Sequence, residues 1–286
     1  MRKRVLIISI VFLISLGVLG FAVQKYNEPA SNLIFSFVVE KVAADTKKEI
    51  LKEYNKRVEY KHLTMYYTTQ DESLIPLTQN AIDRGIELNS KFIGSYNEPL
   101  DLVLLKNRED LANIVGSEQS SGFHSIDMNM TGILPEDREA LANGAPPMIW
   151  AYKSTVKHEY THFVLEHKFN DLGISLEEVP YWFTEGFAEY IGAEEDSITV
   201  MEQELLPLEE ITTADQWRKH HENLDYNIYL QSYIAVRFLI HTYGEKVILD
   251  ILTETSITNN FESSFKNVTG IEIDELDYYD ANDIGL

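Results

Sequence analysis

The sequence predicts an α+β protein: a small mixed sheet lobe, one long helix bearing a metal-ligand motif, and a helical C-terminal lobe, all behind one N-terminal transmembrane helix. Three observations predict it. Short alternating or apolar runs with strand character, residues 60–68, 100–105 and 121–134, all fall in the first half of the chain. Later on, apolar residues recur at helical spacing in runs free of Gly and Pro, at 148–169 and 227–243. Finally, residues 5–23 carry no charge and are long enough to cross a bilayer.

In chain order, Met1-Arg2-Lys3-Arg4 precedes that apolar run. A basic end stays in the cytoplasm, so residues 1–23 read as an uncleaved signal anchor with the rest of the chain outside. The alternative is secretion after signal cleavage. Residues 24–57 form a juxtamembrane linker and helix, the helix running over 33–54, apolar first and charged later. The main domain spans 58–270. It opens with a strand at 60–68 and a helix at 74–93, whose Ile82, Ile86, Leu88 and Phe92 are core candidates. A strand at 100–105, a short helix at 110–115 and one further strand at 121–134 follow. Residues 136–147 are a loop leading to the helix at 148–169, which Asn170-Asp171-Leu172-Gly173 stops. Pro180 suits the first turn of a second apolar helix over 182–190. Gly244 ends the helix at 227–243, helices at 245–253 and 260–266 close the domain, and the acidic tail 271–286 frays.

Composition narrows the chemistry. The 286 residues are 44% hydrophobic, enough for a good core. A formal charge of −22 argues against nucleic acid as a partner. With no cysteine, neither a disulfide nor a thiolate metal site can form, and the only ligands on offer are His and carboxylate. Oligomeric state is not legible.

The long helix carries His158-Glu159-Tyr160-Thr161-His162, which fits H-E-x-x-H. Residues four apart on an α-helix are offset by only about 40° around the axis, so His158 and His162 can converge on one ion. Glu159 lies beside that ion, placed to take a proton from a water on it. On the next helix, Glu185 and Glu189 share a largely apolar face, where an unpaired carboxylate is costly. Glu185 is the candidate third ligand, and Glu189 can accept a hydrogen bond from a ligand imidazole and fix its tautomer.

HEYTH followed by Pro180-Tyr181-Trp182-Phe183-Thr184-Glu185-Gly186-Phe187-Ala188-Glu189-Tyr190 resembles the gluzincin metallopeptidases: thermolysin-like enzymes, zinc aminopeptidases and bacterial collagenases. The connector over 163–184 is longer than in the aminopeptidases and resembles that of bacterial proteins with a peptidase-MA-like domain. Metzincins need Gly and His where this chain has Leu165 and Lys168. The resemblance implies a thermolysin-like two-lobe fold, Zn2+ as cofactor, and Glu185 as its third ligand. It also implies that the last strand borders the cleft, with Gly122 pairing with substrate backbone and His124 within reach of it. The Glu with which aminopeptidases hold a free amine is missing from 126–130, which argues for an endopeptidase, although Asp127 could substitute. The helix at 227–243 resembles the tyrosine-bearing helix of the aminopeptidases, and counting back from Gly244 puts the oxyanion donor at Tyr229. Tyr233 is its rival one turn on, and His220 and His221, read as a surface pair, are the donors a thermolysin-like enzyme would use.

The expected function is therefore a membrane-anchored, extracytoplasmic zinc endopeptidase acting on peptides or proteins. The alternative is a catalytically silent surface domain that keeps the fold for binding. An intramembrane protease is set aside, because Lys153, Lys157, Glu166 and Lys168 surround the motif.

Overall fold

The computed structural model describes residues 29–116, 119–194, 205–221 and 226–278, with side chains from residue 39 onward. The chain divides into two compact units between Glu53 and Tyr54. In the first, helix α1 (Pro29–Leu51) begins inside the stretch expected to be linker. The apolar run 5–23 lies outside the described residues, among which no helix is long and apolar enough to cross a membrane.

The second unit is a mixed α+β structure, mostly helical, with a five-stranded sheet in the order β1-β2-β3-β5-β4. Strands β1 (Lys56–Tyr60) and β2 (Leu63–Tyr67) form an antiparallel hairpin where one strand was expected. The expected domain start at residue 58 thus falls inside a strand. The hidden strand has a simple cause: the residues of β1, KRVEY, alternate between half-buried and exposed, and only Val58 and Tyr60 on the inner face are apolar, so hydropathy marks them weakly. β2 buries Leu63, Met65 and Tyr67. A turn of 3-10 helix leads into α2 (Ile75–Phe92), which turns Ala81, Ile82, Gly85, Asn89 and Phe92 inward. β3 (Leu100–Leu104) lies at the sheet centre, parallel to both β2 and β5. The Asn107 side chain caps α3 (Arg108–Val115) by accepting from the Asp110 amide.

The expected strand at 121–134 is also a hairpin. β4 (Gly122–Ser125) pairs antiparallel with β5 (Met130–Ile133), Gly122 opposite Ile133. The chain reverses at Asn129, whose φ of 42° is the left-handed conformation that Asn tolerates better than most residues. The apolar residues on either side mask the turn. β4 is therefore an edge strand. The expected loop contains α4 (Arg138–Ala142), capped by Asp137. From it Arg138 donates to the buried Asp71 at 2.6 Å and to the carbonyl of Pro135 at 2.9 Å, closing one end of the sheet.

Helix α5 (Pro146–Leu172) passes between this sheet and the remaining helices. Its rotation is fixed by buried hydrogen bonds to α2: Asn89 Nδ2 donates to Thr161 Oγ1 at 2.9 Å, and the hydroxyls of Thr78 and Tyr152 meet at 2.7 Å. Tyr160 and Phe163 fill the core on that side. The opposite side faces α6 (Tyr181–Ala193), and α6 in turn packs on α8 (Ile228–Tyr243). Pro180 sits at the N-cap of α6, one residue before the expected first turn. Two glycines allow α6 its close approaches. A Cβ at Gly186 would lie 2.3 Å from the Ser232 carbonyl oxygen of α8, and one at Gly192 would lie 3.0 Å from Ser154 Oγ of α5. Between α6 and α8 comes α7 (Ala214–His221), which hydropathy did not mark. Helices α9 (Val247–Thr258) and α10 (Phe261–Thr269) complete the unit. The start of the tail does not fray: Leu276 is buried and Asp277 accepts from the Leu208 amide at 2.9 Å.

Candidate metal centre

Three candidate ligand atoms meet where α5 faces α6. His158 Nε2 and His162 Nε2 are 3.1 Å apart. Glu185 Oε2 lies 3.4 Å from the first and 3.5 Å from the second. Four tetrahedral ligands at about 2.0–2.1 Å from an ion are separated by about 3.3 Å along each edge, so this triangle has the size of one tetrahedral face. Two imidazole nitrogens aimed at each other need a proton or an ion between them, and the adjoining carboxylate favours positive charge there. On the far side of the first imidazole, Glu189 Oε1 lies 3.1 Å from His158 Nδ1, an ion-pair contact out of line for a hydrogen bond; Nδ1 is buried without a hydrogen-bond partner, and a small turn of this carboxylate would give it one.

The electrostatics follow from burial and this proximity. Burial alone would push His158 down, but Glu189 and Glu185 outweigh it and hold the imidazole well above its ordinary value. Burial would push the Glu185 carboxyl up, but His162 and His158 hold it well below the usual carboxylate range. Glu159 is pushed up by burial, which outweighs the opposing pull of His158 and His162, with Glu185 and Glu189 adding to the rise.

Glu159 is buried and faces a cavity of about 210 Å³ lined by residues that include Gly122, Ser154, His158, Glu189, His221 and Tyr229. His158, Glu159 and His162 each bring one ligand atom within 4.8 Å of the others. Gly122, on the edge strand, leaves space for the Glu159 carboxylate, since a Cβ there would lie 2.8 Å from Glu159 Oε1. Ser154 stands one turn before His158 on the same face of α5, so helical spacing alone would have found it. The polar segment just before β4, Gln119-Ser120-Ser121, completes one wall and carried no such signal.

The structure separates the remaining candidates. Tyr229 lines the cavity, its ring 6.3 Å from that of His158. Tyr233 is fully buried, stacks on Tyr190 and accepts from Arg237 Nη1 at 2.8 Å. His220 and His221 are not a surface pair: His220 is buried near Glu210, while His221 lines the cavity. His124 turns inward, with Nε2 2.9 Å from Glu166 Oε2 and Nδ1 3.0 Å from Thr131 Oγ1, and does not line the cavity. Residues at alternate positions of a strand share a face, which puts His124 on the face of Gly122, but the pairing with Glu166 draws it under α5. Asp127 is exposed at the β4–β5 turn.

The chain is similar to the uncharacterized protein YhcO of Bacillus subtilis (strain 168), 28% identical over 236 residues, which cover 82% of this chain and 73% of that protein. The family model for the Peptidase MA superfamily matches residues 86–283, a stretch that holds His158, Glu159, His162, Glu185 and the cavity beside them. On that match, over most of its length, the chain belongs to the Peptidase MA superfamily.

Proposed function

We propose that the protein is a zinc metallopeptidase that hydrolyses internal peptide bonds of extracytoplasmic substrates while held on the membrane by residues 5–23. The observation that carries this reading is the triangle of His158, His162 and Glu185, with edges of 3.1, 3.4 and 3.5 Å and a buried carboxylate, Glu159, beside it. The donor set of two imidazoles and one carboxylate suits zinc and leaves one position open. When bound, zinc polarises the scissile carbonyl and eases deprotonation of the attacking water.

The remaining steps belong to the chain. Glu159 accepts the proton of the attacking water and passes a proton to the departing amine nitrogen. Burial, which raises its proton affinity, suits a group that must take up and release a proton in one cycle. Glu189, 3.1 Å from His158 Nδ1, accepts its N–H once the carboxylate turns into line and so keeps Nε2 available. Tyr229 donates its O–H to the carbonyl oxygen as charge develops there. Burial, with Glu185 and Glu159 nearby, pushes the phenol well above its ordinary value, so it keeps its proton at neutral pH. β4, the last strand in the sheet order, offers backbone groups to an extended peptide entering the cavity that Gly122 lines.

The experiment is cleavage of an unstructured polypeptide by full-length protein in detergent. Hydrolysis that is lost on chelation and restored by zinc supports the reading, as do products with internal cleavage sites. A zinc-loaded protein that cleaves no peptide bond would favour a binding domain instead. Protease shaving of intact cells checks the topology: release of the domain is expected, and a soluble protein starting near Gln24 would show a cleaved signal.

A further inference from the structure

Strand β4 meets α5 at two points, and only one of them belongs to the metal centre. Gly122 meets Glu159: a Cβ there would lie 2.8 Å from both Cγ and Oε1 of that residue. Two residues on, His124 shares the same face of the strand. It meets Glu166, with Nε2 2.9 Å from Glu166 Oε2. Glu159 and Glu166 are about two turns apart, so they lie on one face of α5. The strand is thus held along that face at both ends, by close contact with Glu159 and by a hydrogen bond to Glu166.

The hydrogen bond to Glu166 has a fixed direction. An ionised carboxylate only accepts, so the His124 proton sits on Nε2 and points at Glu166. Nδ1 is then an acceptor, and the Thr131 hydroxyl, 3.0 Å away, donates to it. Thr131 is the partner of His124 in the β4–β5 ladder, so one imidazole joins both strands of the hairpin to the helix. Water hardly competes for these atoms: the His124 and Glu166 side chains are 3% and 15% exposed. Phe163, on α5 between His162 and Glu166, is fully buried, and its ring meets His124 edge to face with centroids 6.2 Å apart. Neither His124 nor Glu166 lines the cavity. What they fix is where β4 lies over Glu159.

We propose that His124 and Glu166 are positioning residues: their hydrogen bond sets β4 over the metal centre, so that a peptide pairing with the strand is presented to Glu159. The inference rests on the metallopeptidase reading and on β4 as the strand that receives substrate. Its test compares two zinc-binding probes on full-length, zinc-loaded protein in detergent, by titration calorimetry. Acetohydroxamate needs only the metal, whereas a hydroxamate carrying a short extended peptide also needs the strand. Glu166→Ala removes the acceptor and is expected to weaken the peptide hydroxamate about tenfold, the order of a hydrogen bond to a charged group. Acetohydroxamate affinity and zinc content should not change. Glu166→Gln, whose amide oxygen still accepts from Nε2–H, should restore most of the lost affinity. Glu166→Asp withdraws the carboxylate without emptying the space, and should show the same selective weakening even if Glu166→Ala does not fold. Equal weakening of both probes, or of neither, would overturn the positioning role and leave the metallopeptidase reading intact. A Glu166→Gln chain as weak as Glu166→Ala would also overturn it, because charge and not the hydrogen bond would then be acting. A wild-type chain that takes up zinc and binds neither probe would overturn the metallopeptidase reading, and the inference with it.

Discussion

Two histidine–carboxylate clusters pack against α5, and they differ in what their nitrogens face. At one, His124 sits between Thr131 and Glu166 at 3.0 and 2.9 Å, each ring nitrogen with its own protein partner. At the other, His158 and His162 aim their Nε2 atoms at each other and at Glu185 across 3.1–3.5 Å. The first cluster is closed by hydrogen bonds and joins the β4–β5 hairpin to α5. In the second, three lone-pair atoms converge with no protein donor among them except a protonated imidazole. Burial of a His and a Glu is common to both, so burial does not distinguish a site from a brace. Convergence of acceptors does, because acceptors gather only around something positive.

The comparison can be broken first at Glu159. Glu159→Gln is expected to abolish measurable hydrolysis with metal content near that of the wild type, since the group moves a proton and does not ligate. Joint loss of metal and activity would place Glu159 among the ligands. Next in size is Tyr229→Phe, where loss of an oxyanion donor should lower turnover about 100- to 1000-fold with the fold unchanged. Tyr233→Phe, whose oxygen is engaged by Arg237, should do much less. A severe His221→Ala beside a mild Tyr229→Phe would transfer the donor role to the imidazole that shares the cavity.

Smaller effects concern stability. Gly186→Ala drives a methyl group into the Ser232 carbonyl, and overpacking of this kind costs about 1–3 kcal/mol. Denaturant unfolding of the two proteins measures it, and an unchanged midpoint would show that α6 and α8 slide apart freely. The smallest effect is at the closed cluster. Burial lowers the His124 pKa from its ordinary 6.5, with Glu166 only partly opposing it. The folded protein therefore binds that proton less readily than the unfolded chain. The stabilisation is fully present above pH 6.5 and is lost as pH falls through the lower folded value. His124→Gln keeps hydrogen-bonding capacity and cannot titrate, so its Tm should fall less than the wild type's between pH 7 and pH 5. Parallel curves would show that His124 does not govern acid sensitivity.

Most of the candidate site was legible because helices convert sequence spacing into geometry. The spacings from His158 to His162 and from Glu185 to Glu189 each placed two side chains on one face before any coordinates. What α6 needed in order to reach α5 was written as Gly192, but only packing shows that its neighbour is Ser154. The sheet was less legible. β1 sets only Val58 and Tyr60 against the core, both half-buried, and the β4–β5 turn runs through Asn129 within an apolar stretch, so two hairpins read as single strands. His124 was misplaced for a related reason, since strand alternation gives a face and not the partner waiting on it. Helix α7 went unseen because ADQWRKHH is polar almost throughout, and its two ring contacts to Tyr229 come from tertiary packing that no local pattern encodes.

The central claim is that His158, His162 and Glu185 together hold one zinc ion, and metal content per chain tests it most directly. Full-length wild-type protein and Glu159→Gln, each dialysed against a weak chelator and then given zinc, should retain one equivalent. Glu185→Ala under the same treatment should retain far less, while its circular dichroism matches the wild type. A wild-type chain that takes up no zinc, or a Glu185→Ala chain that holds it as tightly as the wild type, would contradict the account.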